Sequence, residues 1–243
     1  MQIQRILALV ALAFLAGNLH AAQVTNVIDE FTTSQSIATN NASLTNTVAA
    51  SNAIGGFRTM GLTTAGGNTN ESTSIFVSAG SQRLTLNTPV ESSADFQLKW
   101  GGANGNTGLG ADFGAGQPLD LSTSILSFAL RGTDLTSNFT WQFTDIGGNT
   151  ASYAGSFSPH SSTNPALPYN ISLNLFANAG AVNWNAINYI IFSGGGVDDL
   201  DMTINAPFKV VASTVPEPGT WALAASGILT LIAATHRRFR RCR

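Results

Sequence analysis

Three carboxylates crowd one short stretch, Gly194-Gly195-Gly196-Val197-Asp198-Asp199-Leu200-Asp201. Alternate oxygen donors beside a flexible turn are the kind of set that holds Ca²⁺. Asp29 or Glu30, near the start of the body, would complete a site with Asp198, Asp199 and Asp201 if the first and last strands lie together; the competing reading is a solvated turn entering a terminal strand. Tryptophan offers a second chemistry. Trp100 precedes the Gly/Asn-rich loop 101–106 and Trp184 sits between Asn183 and Asn185. An indole face stacks on the apolar side of a pyranose while amides reach its hydroxyls, so both are candidate ligand platforms, with burial in the core as the alternative. Trp141 alternates with Phe139 and Phe143 and reads as core.

Hydrolytic chemistry finds less support. A Ser-His-Asp arrangement needs an imidazole base, and the only histidine between residues 23 and 213 is His160, in the loop Ser158-Pro159-His160-Ser161-Ser162. A glycosidase pair would need two carboxylates roughly 5 to 10 Å apart, and no spacing among the acids singles one out. Asp134 and Asp145 stand beside Gly or Thr at strand ends, where Asp accepts backbone hydrogen bonds in turns. No catalytic residue is assigned, and the body is read as noncatalytic.

The elements that position these groups are strands. Apolar residues recur at every second position in Phe96/Leu98/Trp100, Leu126/Phe128/Leu130, Phe139/Trp141/Phe143, Ile171/Leu173/Leu175, Ile187/Tyr189/Ile191 and Leu200/Met202/Ile204. Period two buries one face and wets the other, which predicts an all-β antiparallel sandwich of about ten strands, of jelly-roll type. Glycine clusters at 55–56, 66–67, 101–105, 147–148 and 194–196 mark turns. Residues 126–157 read as three hairpin-linked strands, and Thr39 to Asn52 as loop or irregular strand. This meander, with the acidic segments at 29–30 and 198–201, resembles galactose-binding-like jelly rolls of many carbohydrate-binding modules. The resemblance implies a fold, and a carbohydrate-binding module with a defined glycan site is the alternative function.

Charge narrows the partners. Between residues 23 and 215 the chain carries five bases, Arg58, Arg83, Lys99, Arg131 and Lys209, against twelve acids. Nucleic-acid binding needs clustered cations and is excluded as an expectation. The single cysteine, Cys242, leaves the body without an internal disulfide.

Both termini carry addressing signals. Residues 1–22 combine Arg5, an apolar run from Ile6 to Ala16 and small residues at Ala21-Ala22, the pattern of a signal peptide presented to the Sec translocon. Residues 23–213 form the extracytoplasmic body. Residues 214–243 hold Pro216-Glu217-Pro218, the apolar stretch Thr220 to Thr235, then Arg237, Arg238, Arg240, Arg241 and Arg243. Sixteen helical residues span about 24 Å, short of a roughly 30 Å hydrocarbon core, as suits a transient transmembrane helix. The arginines hold its end in the cytoplasm by the positive-inside rule.

This tripartite tail closely resembles the PEP-CTERM sorting signal of Gram-negative bacteria. The resemblance implies an exosortase that recognises Pro216, Glu217 and Pro218, cleaves near them and releases the body to the cell surface or extracellular matrix. It also implies a host that makes exopolysaccharide, often in biofilm. The chain is therefore expected to anchor in the inner membrane transiently and then contact extracellular polysaccharide. Glu217→Ala is expected to leave the body folded and the full tail attached at the inner membrane, read by intact mass of the surface fraction; normal release would overturn the sorting expectation.

Overall fold

The structure, a computed structural model, describes residues 23–40, 42–65, 71–102, 105 and 107–214. The signal peptide, the sorting motif, the apolar helix and the arginine cluster expected above lie outside those residues. Among the described residues no helix is long and apolar enough to cross a membrane.

Thirteen strands run in chain order among the described residues: β1 Gln23–Asp29, β2 Gln35–Thr39, β3 Ser43–Ala49, β4 Phe57–Ala65, β5 Thr73–Ser78, β6 Arg83–Asn87, β7 Ser93–Trp100, β8 Ile125–Thr133, β9 Ser137–Asp145, β10 Thr150–Phe157, β11 Leu167–Ser172, β12 Ile187–Asp198 and β13 Asp201–Ser213. They form two antiparallel sheets. One is ordered β11-β8-β13-β6-β5-β2, with β1 also paired to β13, and the other β10-β9-β12-β7-β4-β3. The result is an all-β two-sheet sandwich, consistent with a jelly roll, and Val24–Ser213 form one compact unit.

Alternation explains which faces meet. Leu126, Phe128 and Leu130 of β8 face Phe139, Trp141 and Phe143 of β9, and all six are buried. Phe128 lies near the centre of the aromatic core, with ring centroids 5.7 Å from Phe139, 5.8 Å from Trp141 and 5.7 Å from Phe208. Phe208 of β13 reaches across to Trp141 at 5.2 Å and Phe192 at 5.4 Å, both edge-on. Edge-to-face pairs of this kind add about 0.5–1.5 kcal/mol each beyond the area they bury.

Several expectations change. The predicted meander at 126–157 is broken: β8 and β9 belong to different sheets, and only β9 and β10 form a hairpin. Period two fixes which side chains turn inward, but it is blind to whether the next strand pairs alongside or crosses to the facing sheet. The glycines at 194–196 sit inside β12, where the register against β7 shifts between Gly195 and Asp198. A Cβ at Gly195 would come within 2.0 Å of the Ala94 carbonyl oxygen, and its φ is +116°, so this bulge requires glycine. A second bulge after Ile187 moves the buried positions of β12 to Ile187, Ile190 and Phe192, in place of the expected Ile187/Tyr189/Ile191. Leu173 is buried, but the chain turns into a 3₁₀ segment there and leaves Leu175 exposed. Within Thr39 to Asn52, Ser43–Ala49 is a regular strand with seven consecutive pairs to β4; its exposed edge position removed the apolar alternation that would have shown it.

Asp145 meets its expected turn role. It accepts from the Asn149 backbone and side chain at 2.9 and 3.0 Å and from Asn183 N at 2.8 Å. Burial pushes its carboxyl up, and these donors outweigh that effect and hold it below the ordinary carboxylate value.

One polar cluster pierces the core. Arg58 of β4 is fully buried and donates through Nη1 to Asp29 Oδ2 at 2.8 Å, through Nε to Gln35 Oε1 at 2.8 Å and through Nη2 to Thr33 O at 2.6 Å. Trp100 Nε1 donates to the same Asp29 oxygen at 2.8 Å, and Phe31 N to the other at 2.7 Å. Removing one member of a buried pair strands the other charge. Arg58→Met is expected to cost about 3–5 kcal/mol in urea denaturation, and the double change Asp29→Asn/Arg58→Met clearly less than the sum of its parts.

Candidate functional site

Strand pairing gathers residues that are distant in sequence. Where β6 ends and β13 begins, Asn87 pairs with Asp201. On the other side of β13, Met202 and Thr203 pair with Thr133 and Gly132 of β8. Thr133 also bridges to His160 through two backbone hydrogen bonds of 2.9 and 2.8 Å, which draws the loop after His160 over the strand ends. Between them lies a cleft of about 310 Å³ lined by Asn87, Thr133, Asp134, His160, Ser161, Ser162, Asp201 and Thr203, with Gly132 and Met202.

The cleft walls are pinned. A Cβ at Gly132 would come 2.9 Å from Ser162 Cβ and 3.0 Å from its nitrogen, so only glycine lets the loop approach this closely. Arg131 Nη1 donates to Asn164 O at 2.8 Å, and His160 Nε2 stands 2.9 Å from Pro165 O. Asp134 N donates to Asp201 O at 3.2 Å, and Asp134 Oδ1 accepts from Asp201 N at 2.8 Å. Burial, and next the charge of Asp134, push the Asp201 carboxyl above its ordinary value, against a smaller opposing contribution from the Thr88 backbone donor.

These groups make a polar surface of carboxylates, an amide and hydroxyls held on strand ends. Ser161 Oγ pairs with Thr163 Oγ1 at 2.8 Å, so neither it nor the imidazole is aligned as a nucleophile and base. The cleft supplies hydrogen-bond donors and acceptors for a hydroxyl-rich ligand.

The sequence-derived candidates fall elsewhere. Trp100 has no exposed surface; it stacks on Trp141 at 6.0 Å and its N–H is held by Asp29. Trp184 is buried against Phe143 at 5.2 Å and donates to Ala179 O at 3.0 Å. Neither serves as a ligand platform, because burial leaves no indole face open to a sugar. The acidic set is not assembled either. Asp29 is spent on Arg58, Trp100 and Phe31 N, and Phe31 packs on Phe208 at 4.9 Å, some seven residues and roughly 20 Å of strand beyond Asp201. Asp199 Oδ1 accepts from Glu91 N at 2.5 Å, while Asp198 pairs with Ser93 at the end of β12. Among the described residues, no group of three or more His, Cys, Asp or Glu side chains is placed to hold a metal ion. Of the predicted ligands, Asp201 alone lines the cleft. Asn87, Asp134, His160 and Ser162 were not singled out as a site, since only the β6-β13-β8 pairing joins them.

No family model matches the chain, and no curated protein matches it. Solved structures similar to it include carbohydrate-binding modules. The family 11 module of the cellulosomal cellulase Lic26A-Cel5E of Clostridium thermocellum is 10% identical, with a TM-score of 0.37 over 80% of this chain and 97% of that one. TmCBM61 in complex with β-1,4-galactotriose is 10% identical, with a TM-score of 0.34 over 76% and 91%. An exo-β-agarase is 10% identical, with a TM-score of 0.36 over 80% of this chain and 25% of that one. Similarity of this degree names no family for the chain.

A carboxyl whose pKa rises on folding holds more protons in the folded than in the unfolded chain between the two values. Stability contributed there is present below the unfolded value near 3.8 and is lost as pH rises through the raised folded value. Asp201→Asn removes that loss. The variant is expected to melt higher than the parent near neutral pH, with the difference closing as pH falls below about 4 in a series of thermal melts.

Proposed function

We propose that this chain is an exported, noncatalytic surface protein whose β-sandwich binds extracellular polysaccharide through the polar cleft at the β6-β13-β8 end of the seven-stranded sheet. The observation that carries the reading is the cleft itself: about 310 Å³ of space walled by the Asn87 amide, two carboxylates and several hydroxyls, a volume at the lower end of ligand pockets. Carboxylate oxygens accept from sugar hydroxyls, and an amide offers both a donor and an acceptor to vicinal hydroxyls. With Trp100 and Trp184 buried, binding rests on hydrogen bonds rather than ring stacking, so specificity follows hydroxyl orientation.

Export and sorting belong to this proposal on the strength of the terminal segments. A leader at residues 1–22 delivers the chain to the Sec translocon. An exosortase acts at Pro216, Glu217 and Pro218, and the arginines from Arg237 to Arg243 hold the tail inside until it does. Delivery to the surface brings the cleft to the polymer.

Titration of the full chain with soluble β-glucan, galactan and amino-sugar polymers tests the binding reading. Asn87→Ala and Ser162→Ala are each expected to weaken binding about tenfold, the loss of roughly one 1.4 kcal/mol contact. Unchanged affinity in both variants would move the site away from the cleft; no binding to any polymer would remove the reading.

A further inference from the structure

β3 forms one edge of the six-stranded sheet, and its sequence SLTNTVA carries no charge, proline or glycine. Natural edges are usually blunted by such residues, by bulges or by a covering segment. The opposite edge of the same sheet follows that rule: Ser152 of β10 exchanges backbone hydrogen bonds with Ala177 at 3.2 and 2.8 Å. In the other sheet, β11 carries Pro168. Within β3 itself there is no such residue or bulge, and its seven pairs with β4 run without a register shift; the loop at Gly105 reaches its outer face at Thr47, and among the described residues no segment pairs with its edge.

The orientation of its backbone follows from its two ends. Ala50 N donates to Gly56 O at 2.8 Å and Thr64 N to Ala42 O at 3.4 Å, so even-numbered residues turn their peptide groups toward β4. By antiparallel alternation, Ser43, Thr45, Thr47 and Ala49 present N–H and C=O groups to the free edge. Among the described residues these groups have no backbone partner.

We propose that this edge pairs with β3 of a second copy of the chain, antiparallel about a two-fold axis at Asn46. The sequence is self-complementary in that register. Ser43 meets Ala49 and Thr45 meets Thr47 as hydrogen-bonded pairs, which satisfies all four free residues of each copy with about eight hydrogen bonds. Leu44 then lies opposite Val48. These two point to the inner side, paired with Leu62 and Arg58, yet Leu44 remains 43% exposed and Val48 only half-buried; the partner strand covers both. Thr47 already pairs its hydroxyl with Thr59 at 2.8 Å, as Ser43 does with Thr63 at 2.9 Å. Thr45 and Thr47 of the partner extend that hydroxyl ladder. Because the strand is uncharged, a second copy meets no like charge.

The axis makes a specific test, since Asn46 alone in the strand faces its own counterpart. In full-length protein carrying Cys242→Ser, Asn46→Cys treated with oxidised glutathione is expected to form a disulfide-linked dimer on non-reducing gels. Thr45→Cys is expected to stay unlinked, because its counterpart lies beyond disulfide reach. Adding Thr45→Lys/Thr47→Lys to Asn46→Cys places lysine opposite lysine and is expected to abolish the link; Thr45→Lys/Thr47→Glu places opposite charges together and restores it. Equal linking of the cysteine variants at 45 and 46, or no linking at 46, would overturn the proposal, as would identical behaviour of the two charge pairs.

Discussion

A guanidinium buried between two sheets is tolerable only when its nitrogens and the facing carboxylate find partners, and the Arg58 cluster gives each of the three nitrogens one, within a set of residues from four segments. Asp29 ends β1, Thr33 and Gln35 lead into β2, Arg58 lies on β4 and Trp100 ends β7. Sliding β4 by one residue would send Arg58 to the solvent face and leave the Asp29 carboxylate in an apolar core without its cation, held only by the Trp100 and Phe31 N–H groups. The pair therefore acts on register across both sheets. Its net stability is modest, because desolvation offsets most of the attraction between the charges.

That constraint also accounts for what the sequence conceals. Alternation revealed the inward set Phe96, Leu98, Trp100, Phe139, Trp141 and Phe143, and with it a two-layer β fold, because a buried face imposes period two whatever the neighbour. It could not separate β8 from β9 by sheet, since both possibilities produce the same local pattern. It likewise lost phase in β12, where bulges insert extra residues without any change of composition. Asp29 looked available for a metal because its partner lies 29 positions away, and nothing local to either residue announces the pairing.

The cleft was less legible still. Asn87, Asp134, His160 and Asp201 come from four segments joined only by long-range pairing, and each alone has an ordinary explanation at a strand end. One signal was present in retrospect: glycine at position 132, between Arg131 and Thr133 at the close of a strongly alternating strand, where loss of a side chain permits a neighbouring segment to pack closely. Such a glycine marks an approach without naming what approaches. The tryptophans misled for the opposite reason, because proximity to Gly and Asn in the chain suggested a loop surface while their indoles turned into the core.

The strand order carries a consequence for how the body is built. β13, the last strand of the sandwich, lies inside the seven-stranded sheet between β8 and β6 and also pairs with β1. Until the ribosome has delivered Asp201–Ser213, the halves of that sheet have no strand to join them, and the earliest strand lacks its neighbour. Completion of that sheet waits for the last of the described strands, because the closing contacts are almost all non-local. If the chain is threaded unfolded through a translocon, as proposed above, this order keeps that sheet open until β13 has followed the other twelve described strands across.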